Sequence, residues 1–146
     1  MPPPPRPRPP VRPLVGPGSL VHLLRALVAA CVLLSAVVHL FLWADGMNTV
    51  SVVGPAFLIN AVGGIVLAVF VLAWYSPLPL LGAVAFGVGT LAAFVISTTS
   101  GGFFGVHETW SGAPQLLAAF SEIGAIVLAS LALVVERRRQ SVLRSA

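Results

Sequence analysis

The chain has 146 residues, of which 58% are hydrophobic and only 8% are charged, with a formal net charge of +4. Soluble domains are typically about a quarter charged. This chain therefore has too few ionic groups for a water-facing surface, and we expect lipid to surround most of it. The basic balance does not indicate nucleic-acid binding, because the basic residues are all arginines and most lie near the chain ends. The single cysteine, Cys31, excludes an internal disulfide and a cysteine-based metal cluster.

The first segment, residues 1–18, is rich in proline and arginine. Each proline fixes φ and removes a backbone donor, so this segment cannot form a helix. We predict a disordered, Pro/Arg-rich cytoplasmic tail that favours polyproline II. A ligand for an SH3-type domain is the alternative use of such a tail.

Four apolar runs follow within residues 19–136, at about 19–43, 50–74, 78–99 and 114–135. A run of about 20 apolar residues, rising 1.5 Å per residue as a helix, crosses a hydrocarbon core of about 30 Å. Pro114 stands at the start of the last run, where proline suits a helix. We predict an all-α fold, a transmembrane four-helix bundle, followed by a basic cytoplasmic tail at 137–146.

The distribution of arginine predicts the orientation of these spans. Cytoplasmic segments of membrane proteins are enriched in basic residues. The two expected outer loops carry Asp45, His107 and Glu108 but no arginine. We therefore expect a multi-pass protein of the plasma membrane with both termini in the cytoplasm. Arg25, near the start of the first span, is expected to extend to the headgroups. The seven arginines outside the runs are Arg6, Arg8, Arg12, Arg137, Arg138, Arg139 and Arg144.

Glu122 is the one acid deep inside an apolar run. A charged side chain at mid-bilayer costs about 2.5–3.5 kcal/mol on insertion scales, so Glu122 must be protonated, paired or hydrated. It lies roughly 12 Å from the outer edge of its span at 1.5 Å per residue. Asn60 and Thr90 lie at a similar depth, and His39 lies roughly 6 Å deep. We predict an outer-leaflet polar site of these four residues, in which Asn60, Thr90 or His39 supplies hydrogen bonds to Glu122.

Two interpretations of this site remain open. The site handles a proton, a cation or a small ligand, as intramembrane acids often do. Alternatively, its polar groups only fix the register of the helices, as interhelical hydrogen bonds do, in a structural or assembly subunit of a membrane complex. Other membrane proteins or a homo-oligomer are the expected partners.

Small residues at four-residue spacing predict close packing of helices. In the third span these residues are Ala85, Gly89, Ala93 and Ser97.

The loop between the last two spans contains a weaker candidate site, His107 with Glu108. Such a pair can bind a metal or respond to pH, although exposed loop residues usually do neither. A haem or quinone carrier is the third alternative. A bis-histidine haem needs two imidazoles that face each other on different helices, whereas of the one outer pair, His39 and His107, His107 lies in a loop. We predict no metal, no cofactor and no catalytic residue, because the sequence lacks the nucleophile, phosphate-loop and zinc-protease motifs of common enzymes.

The last feature of the sequence is a set of short motifs: His39-Leu40-Phe41-Leu42-Trp43, Gly46, Val53-Gly54-Pro55-Ala56-Phe57-Leu58-Ile59-Asn60, Gly102-Phe103-Phe104-Gly105 and Glu122. These motifs resemble those of small four-span integral membrane proteins of actinobacteria, which lack an assigned activity. The resemblance implies four membrane helices and directs attention to His39, Asn60 and Glu122. The chain departs from the family pattern at Met47-Asn48, where Tyr-Arg is expected.

Overall fold

Four helices make up most of the computed structural model, which describes residues 17–145. All four are long and apolar enough to cross a membrane. The predicted all-α transmembrane four-helix bundle is therefore confirmed for these residues, and its surroundings are a lipid bilayer. The predicted disordered tail lies outside the described residues, except for its last two positions, which begin the first helix. The helices are α1 (Pro17–Ala44), α2 (Val53–Ala73), α3 (Pro77–Ser97) and α4 (Ala113–Ser145), and a short 3-10 turn spans Met47–Thr49.

Proline marks the beginning of every helix. Its φ suits the first turn, and its missing N–H would have had no intrahelical partner there. Ser76 adds a cap to α3, since its hydroxyl accepts a hydrogen bond from the N–H of Leu78 at 3.3 Å. The first-turn prolines are Pro17, Pro55, Pro77 and Pro114.

The end of α4 extends beyond the predicted fourth span. The helix continues through the basic segment to Ser145, so residues 137–145 of the predicted basic tail are helical. Nothing in this segment stops a helix, because it contains neither glycine nor proline. The edge of an apolar run marks the edge of the membrane, which need not coincide with the end of a helix.

Side-chain contacts establish an up-and-down topology. Arg25, near the start of α1, contacts the backbone after the end of α2 and Glu136 late in α4. Ser35, further along α1, contacts Glu122 early in α4. Neighbouring helices in sequence therefore run antiparallel. We call the end with the described chain ends and the connection 74–76 the termini end, and the end with segments 45–52 and 98–112 the loop end.

The centre of the bundle is α1, which packs extensively against α2 and α4, while α4 also packs against α3. In contrast, α2 and α3 contact each other much less. Close approach depends on glycine: a Cβ at Gly64 would lie 2.8 Å from the Cβ of Ala36, and one at Gly87 would lie 2.9 Å from the carbonyl oxygen of Glu122. Small residues thus let neighbouring backbones approach each other, as expected for membrane helices.

The packing face of α3 differs in part from the predicted one. Of the predicted stripe, Ser97 is buried and Ala93 is half-buried, whereas Ala85 and Gly89 are exposed, and the other buried residues include Leu80, Ala83 and Gly87. Two stripes of small residues run along this helix, and α3 is apolar on all sides. Hydrophobic periodicity therefore could not select the buried stripe, and contact with α4 decides it.

Candidate functional site

The loop end of the bundle contains a cavity of about 210 Å3. All four helices and the loop 98–112 contribute to its lining. The four predicted site residues, His39, Asn60, Thr90 and Glu122, all line this cavity, and so does Glu108. His107 is not among the lining residues: it is exposed, and its Nε2 lies 3.3 Å from the carbonyl oxygen of Ser100. The predicted four residues therefore meet in space, whereas His107 and Glu108 point to different surroundings.

Glu122 lies at the inner part of the cavity and is 1% exposed. Its Oε1 accepts a hydrogen bond from the hydroxyl of Ser35 at 3.0 Å, and its Oε2 is buried without a partner within residues 17–145. The donor is a serine on α1 and not one of the three residues considered from the sequence, Asn60, Thr90 and His39.

The same serine holds His39. The Nδ1 of His39 lies 2.8 Å from the carbonyl oxygen of Ser35, one turn earlier in α1. A carbonyl oxygen only accepts, so Nδ1 carries a hydrogen and Nε2 of the neutral ring is an acceptor. The ring also packs on Phe57 of α2, with centroids 5.0 Å apart. Ser35 therefore connects Glu122 and His39 in one polar cluster between α1 and α4.

The remaining polar side chains in the cavity have different roles. The Thr90 hydroxyl donates to the carbonyl of Phe86 in its own helix, which satisfies it locally. The Oδ1 of Asn60 is buried without a partner, and so is the Oε1 of Gln115. Both atoms belong to residues that line the cavity. Together with the Oε2 of Glu122, three carbonyl or carboxyl oxygens of cavity-lining residues are buried without a partner among the described residues.

Residues 103–108, which we call the roof, lie over the loop-end side of the cavity. Phe103 and Val106 pair through two backbone hydrogen bonds of 2.9 and 3.0 Å. The turn between them has positive φ at Phe104 (48°) and Gly105 (82°), as in the two-residue turns of tight hairpins. The roof is fixed to α3 because the N–H of Glu108 donates to the carbonyl of Ser97 at 3.1 Å.

The roof is also fixed to α4. The Nε2 of Gln115 donates to the Oε2 of Glu108 at 3.0 Å. The roof therefore joins α3 and α4 at the loop end of the cavity. Ala56 of α2 and Gly89 of α3 both line the cavity and are both exposed. The cavity reaches the bundle surface between these two helices, which contact each other least of the adjacent pairs.

This arrangement suits binding rather than catalysis. Most lining residues are apolar, with a few convergent polar groups, which is the usual make-up of a ligand pocket. The hydroxyls of Thr90 and Ser97 both donate to carbonyls of α3, so neither is paired with a base. His39 is the one imidazole among the lining residues. No group of three or more metal-ligating side chains occurs in residues 17–145.

A second polar cluster lies at the termini end and was not predicted. Arg25 is 1% exposed, and it does not extend to the headgroups as expected. Its guanidinium forms a two-pronged ion pair with Glu136, through Nε to Oε1 at 2.7 Å and Nη2 to Oε2 at 3.0 Å. It also donates to the carbonyls of Val71, Trp74 and Ser76 at 2.8–3.0 Å. All five N–H donors of an arginine are thereby used.

Sequence signals for the missed residues existed but were weak. Ser35 lies one helical turn before His39, and Gln115 directly follows Pro114. Glu136 lies 111 residues after Arg25 in the chain, so their pairing is visible only in the folded bundle.

A comparison of the chain with protein families, with characterised proteins and with solved structures finds no match. The resemblance to actinobacterial four-span proteins stays a prediction.

Proposed function

We propose that this membrane-spanning chain binds a small ligand in its loop-end cavity, through the carboxyl group of Glu122 and the amide of Asn60. One observation carries the proposal. The Oε2 of Glu122 and the Oδ1 of Asn60 are both buried, both lack a partner in the part of the chain that the structure describes, and both belong to residues lining the same cavity. Nine in ten or more buried polar groups have a partner, and leaving one unpaired costs about 1–3 kcal/mol. A ligand that bonds to both oxygens offsets this cost.

The positions of the buried charged groups limit the kinds of ligand that the site can bind. The buried cation of the described chain, Arg25, is at the termini end and is already paired with Glu136. Glu122 therefore has no cationic side chain to balance it, and we infer that it is uncharged when no ligand is bound. The site then accepts a small cation in exchange for the proton of Glu122, or a neutral group that hydrogen-bonds to Glu122 and Asn60.

Thermal unfolding of the purified chain in lipid nanodiscs tests this proposal. The probes are Na+, K+, methylammonium and 2-naphthol, applied to the wild type, to Asn60→Leu and to the control Asn48→Leu, whose asparagine is exposed near the loop end. A ligand at 100 times its Kd stabilises the folded state by about 2.7 kcal/mol. We expect at least one probe to raise the Tm of the wild type and the control but not of Asn60→Leu. The proposal fails if no probe raises the Tm, or if Asn60→Leu responds like the control.

We also propose that the protein lies in the plasma membrane with its termini end toward the cytoplasm. The arginines of α4 beyond Glu136 cluster at this end, as expected for cytoplasmic segments. The test uses single cysteines in a Cys31→Ala background, Asp45→Cys at the loop end and Ser141→Cys at the termini end. Both positions are exposed. We expect a membrane-impermeant maleimide added to intact cells to label only Asp45→Cys, and labelling of only Ser141→Cys overturns the orientation.

A further inference from the structure

We propose that the ligand of the loop-end cavity is a lipid-soluble, ring-sized molecule that carries a hydroxyl group, and that it enters from the bilayer between α2 and α3. This inference rests on the proposed function and assigns the ligand class and the route. It depends on three features of the cavity: its size and apolar lining, the pairing of the unpartnered oxygens of Glu122 and Asn60, and its lateral opening.

The size and lining of the cavity favour an apolar ring. The cavity measures about 210 Å3. An engineered apolar cavity of about 150 Å3 is known to hold benzene, so this one has room for a ring system somewhat larger than a single benzene. Its walls include Phe57, Phe94 and Phe103. Aromatic walls pack against rings in offset or edge-on arrangements. A bare inorganic cation would leave most of this apolar surface without contact.

The two free oxygens favour a hydroxyl as the polar group of the ligand. The Oδ1 of Asn60 can only accept a hydrogen bond, whereas the uncharged carboxyl of Glu122 has a proton to donate. The Oε1 of Glu122 already accepts from Ser35 at 3.0 Å, so the Oε2 is the atom free to carry that proton. A hydroxyl both donates and accepts, so a ligand hydroxyl that lies between the two residues can pair with both. An ether or a ketone can accept a hydrogen bond from Glu122 but cannot donate one to the Oδ1 of Asn60.

The route follows from where the cavity reaches the bundle surface. The roof lines the loop-end side of the cavity and is held to α3 by the backbone bond of Glu108 and to α4 by Gln115. Ala56 of α2 and Gly89 of α3 line the cavity and are exposed at the bundle surface. A Cβ at Gly89 would meet no atom within 4 Å. This open space between α2 and α3 is the proposed portal.

A matched pair of probes tests the ligand class. The compounds are 2-naphthol and 2-methoxynaphthalene, which share a ring system and an oxygen acceptor but differ in the donor hydrogen. Binding is measured in nanodiscs and corrected for the partition of each probe into empty nanodiscs. We expect 2-naphthol to bind the wild type at least about tenfold more tightly, the effect of one satisfied buried acceptor. We expect Asn60→Leu to remove this preference, and equal binding of the two compounds to the wild type overturns the hydroxyl assignment.

A matched pair of variants tests the portal. Gly89→Leu places a side chain in the proposed opening, whereas Gly63→Leu places the same side chain on an exposed face of α2 away from the cavity. A Cβ at either glycine meets no atom within 4 Å, so both variants are expected to fold. We expect Gly89→Leu to slow the association of 2-naphthol at least about tenfold and Gly63→Leu to leave it unchanged. Equal association rates in the two variants overturn the route.

The same experiments separate this inference from the proposed function. In one outcome, methylammonium or Na+ stabilises the wild type but not Asn60→Leu, and the wild type binds 2-naphthol no more tightly than its methyl ether. The proposed binding site is then supported, and the assignment of a hydroxyl ligand is wrong. If no probe of any class binds, both proposals fall and the cavity contains water only.

Discussion

At the scale of single residues, the two buried ionisable side chains Arg25 and Glu122 differ in how completely their hydrogen-bonding groups are paired. Arg25 uses all its donors within the protein, and its charge is balanced by Glu136 at 2.7 Å. Glu122 has one oxygen bonded to Ser35 and the other unpaired. A buried side chain whose polar atoms all have partners stabilises the fold, whereas a side chain at a cavity that keeps an unpaired polar atom is available to bind a ligand. The structural and the functional polar clusters thus occupy opposite ends of the bundle.

The Arg25 cluster predicts a large cost for its removal. Arg25→Met leaves Glu136 and three backbone carbonyls without their donor, and breaking a buried ion pair typically costs about 3–5 kcal/mol. We expect a loss of unfolding free energy of about 3 kcal/mol, measured by reversible denaturation in detergent micelles, because Glu136 keeps some exposure. The double variant Arg25→Met with Glu136→Leu is expected to recover part of the loss. Arg139→Met, at an exposed position, is the control, and an equal loss in this control contradicts the assigned role.

The hydrogen bond from Ser35 to Glu122 predicts a smaller effect. Ser35→Ala removes the one donor among the described residues that reaches the carboxyl group of Glu122, and an unpaired buried acceptor costs about 1–3 kcal/mol. We expect the unfolding free energy to fall by about 1–2 kcal/mol relative to Ser130→Ala, which changes an exposed serine on α4. Identical stabilities of the two variants in the same denaturation measurement mean that this bond contributes nothing.

At the scale of elements, the weak contact between α2 and α3 gives the bundle its cavity. The hairpin connection brings these helices together at the termini end, and the contacts of Gly64 with Phe86 and of Gly82 with Leu67 lie in that half. Toward the loop end, the cavity separates them, and the strong packing of α3 on α4 at Gly87 holds α3 in place. The position of α3 is therefore set by α4 rather than by its neighbour in sequence.

Two glycines two residues apart test this packing. A Cβ at Gly87 would lie 2.9 Å from the backbone oxygen of Glu122, whereas one at Gly89 would meet nothing within 4 Å. We expect Gly87→Ala to destabilise the bundle by about 1–3 kcal/mol through overpacking. Gly89→Ala is expected to be neutral or slightly stabilising, because alanine favours helix over glycine. Thermal unfolding in micelles compares the two variants, and a Gly87→Ala protein as stable as Gly89→Ala shows that α3 is free to move away from α4.

At the scale of the whole molecule, the sequence predicted the four helices, because the lengths of its apolar runs are dictated by membrane thickness. The depth of Glu122, Asn60, Thr90 and His39 also predicted that these residues meet, since depth along a span follows directly from residue count. What the sequence could not predict was rotation about each helix axis. In helices that are apolar on every side, Ser35 and Arg25 have no periodic pattern that reveals their partners, and the buried face of α3 was missed for the same reason.

The most direct test of the central claim is the reaction of Glu122 with dicyclohexylcarbodiimide, a lipid-soluble reagent that modifies uncharged carboxyl groups. Mass spectrometry of peptides from treated membranes locates the adduct. We expect the adduct on Glu122 and not on Glu136, which is paired with Arg25, and we expect saturating 2-naphthol to slow its formation. No adduct on Glu122, or a rate of formation that 2-naphthol leaves unchanged, contradicts a lipid-accessible ligand site at this acid.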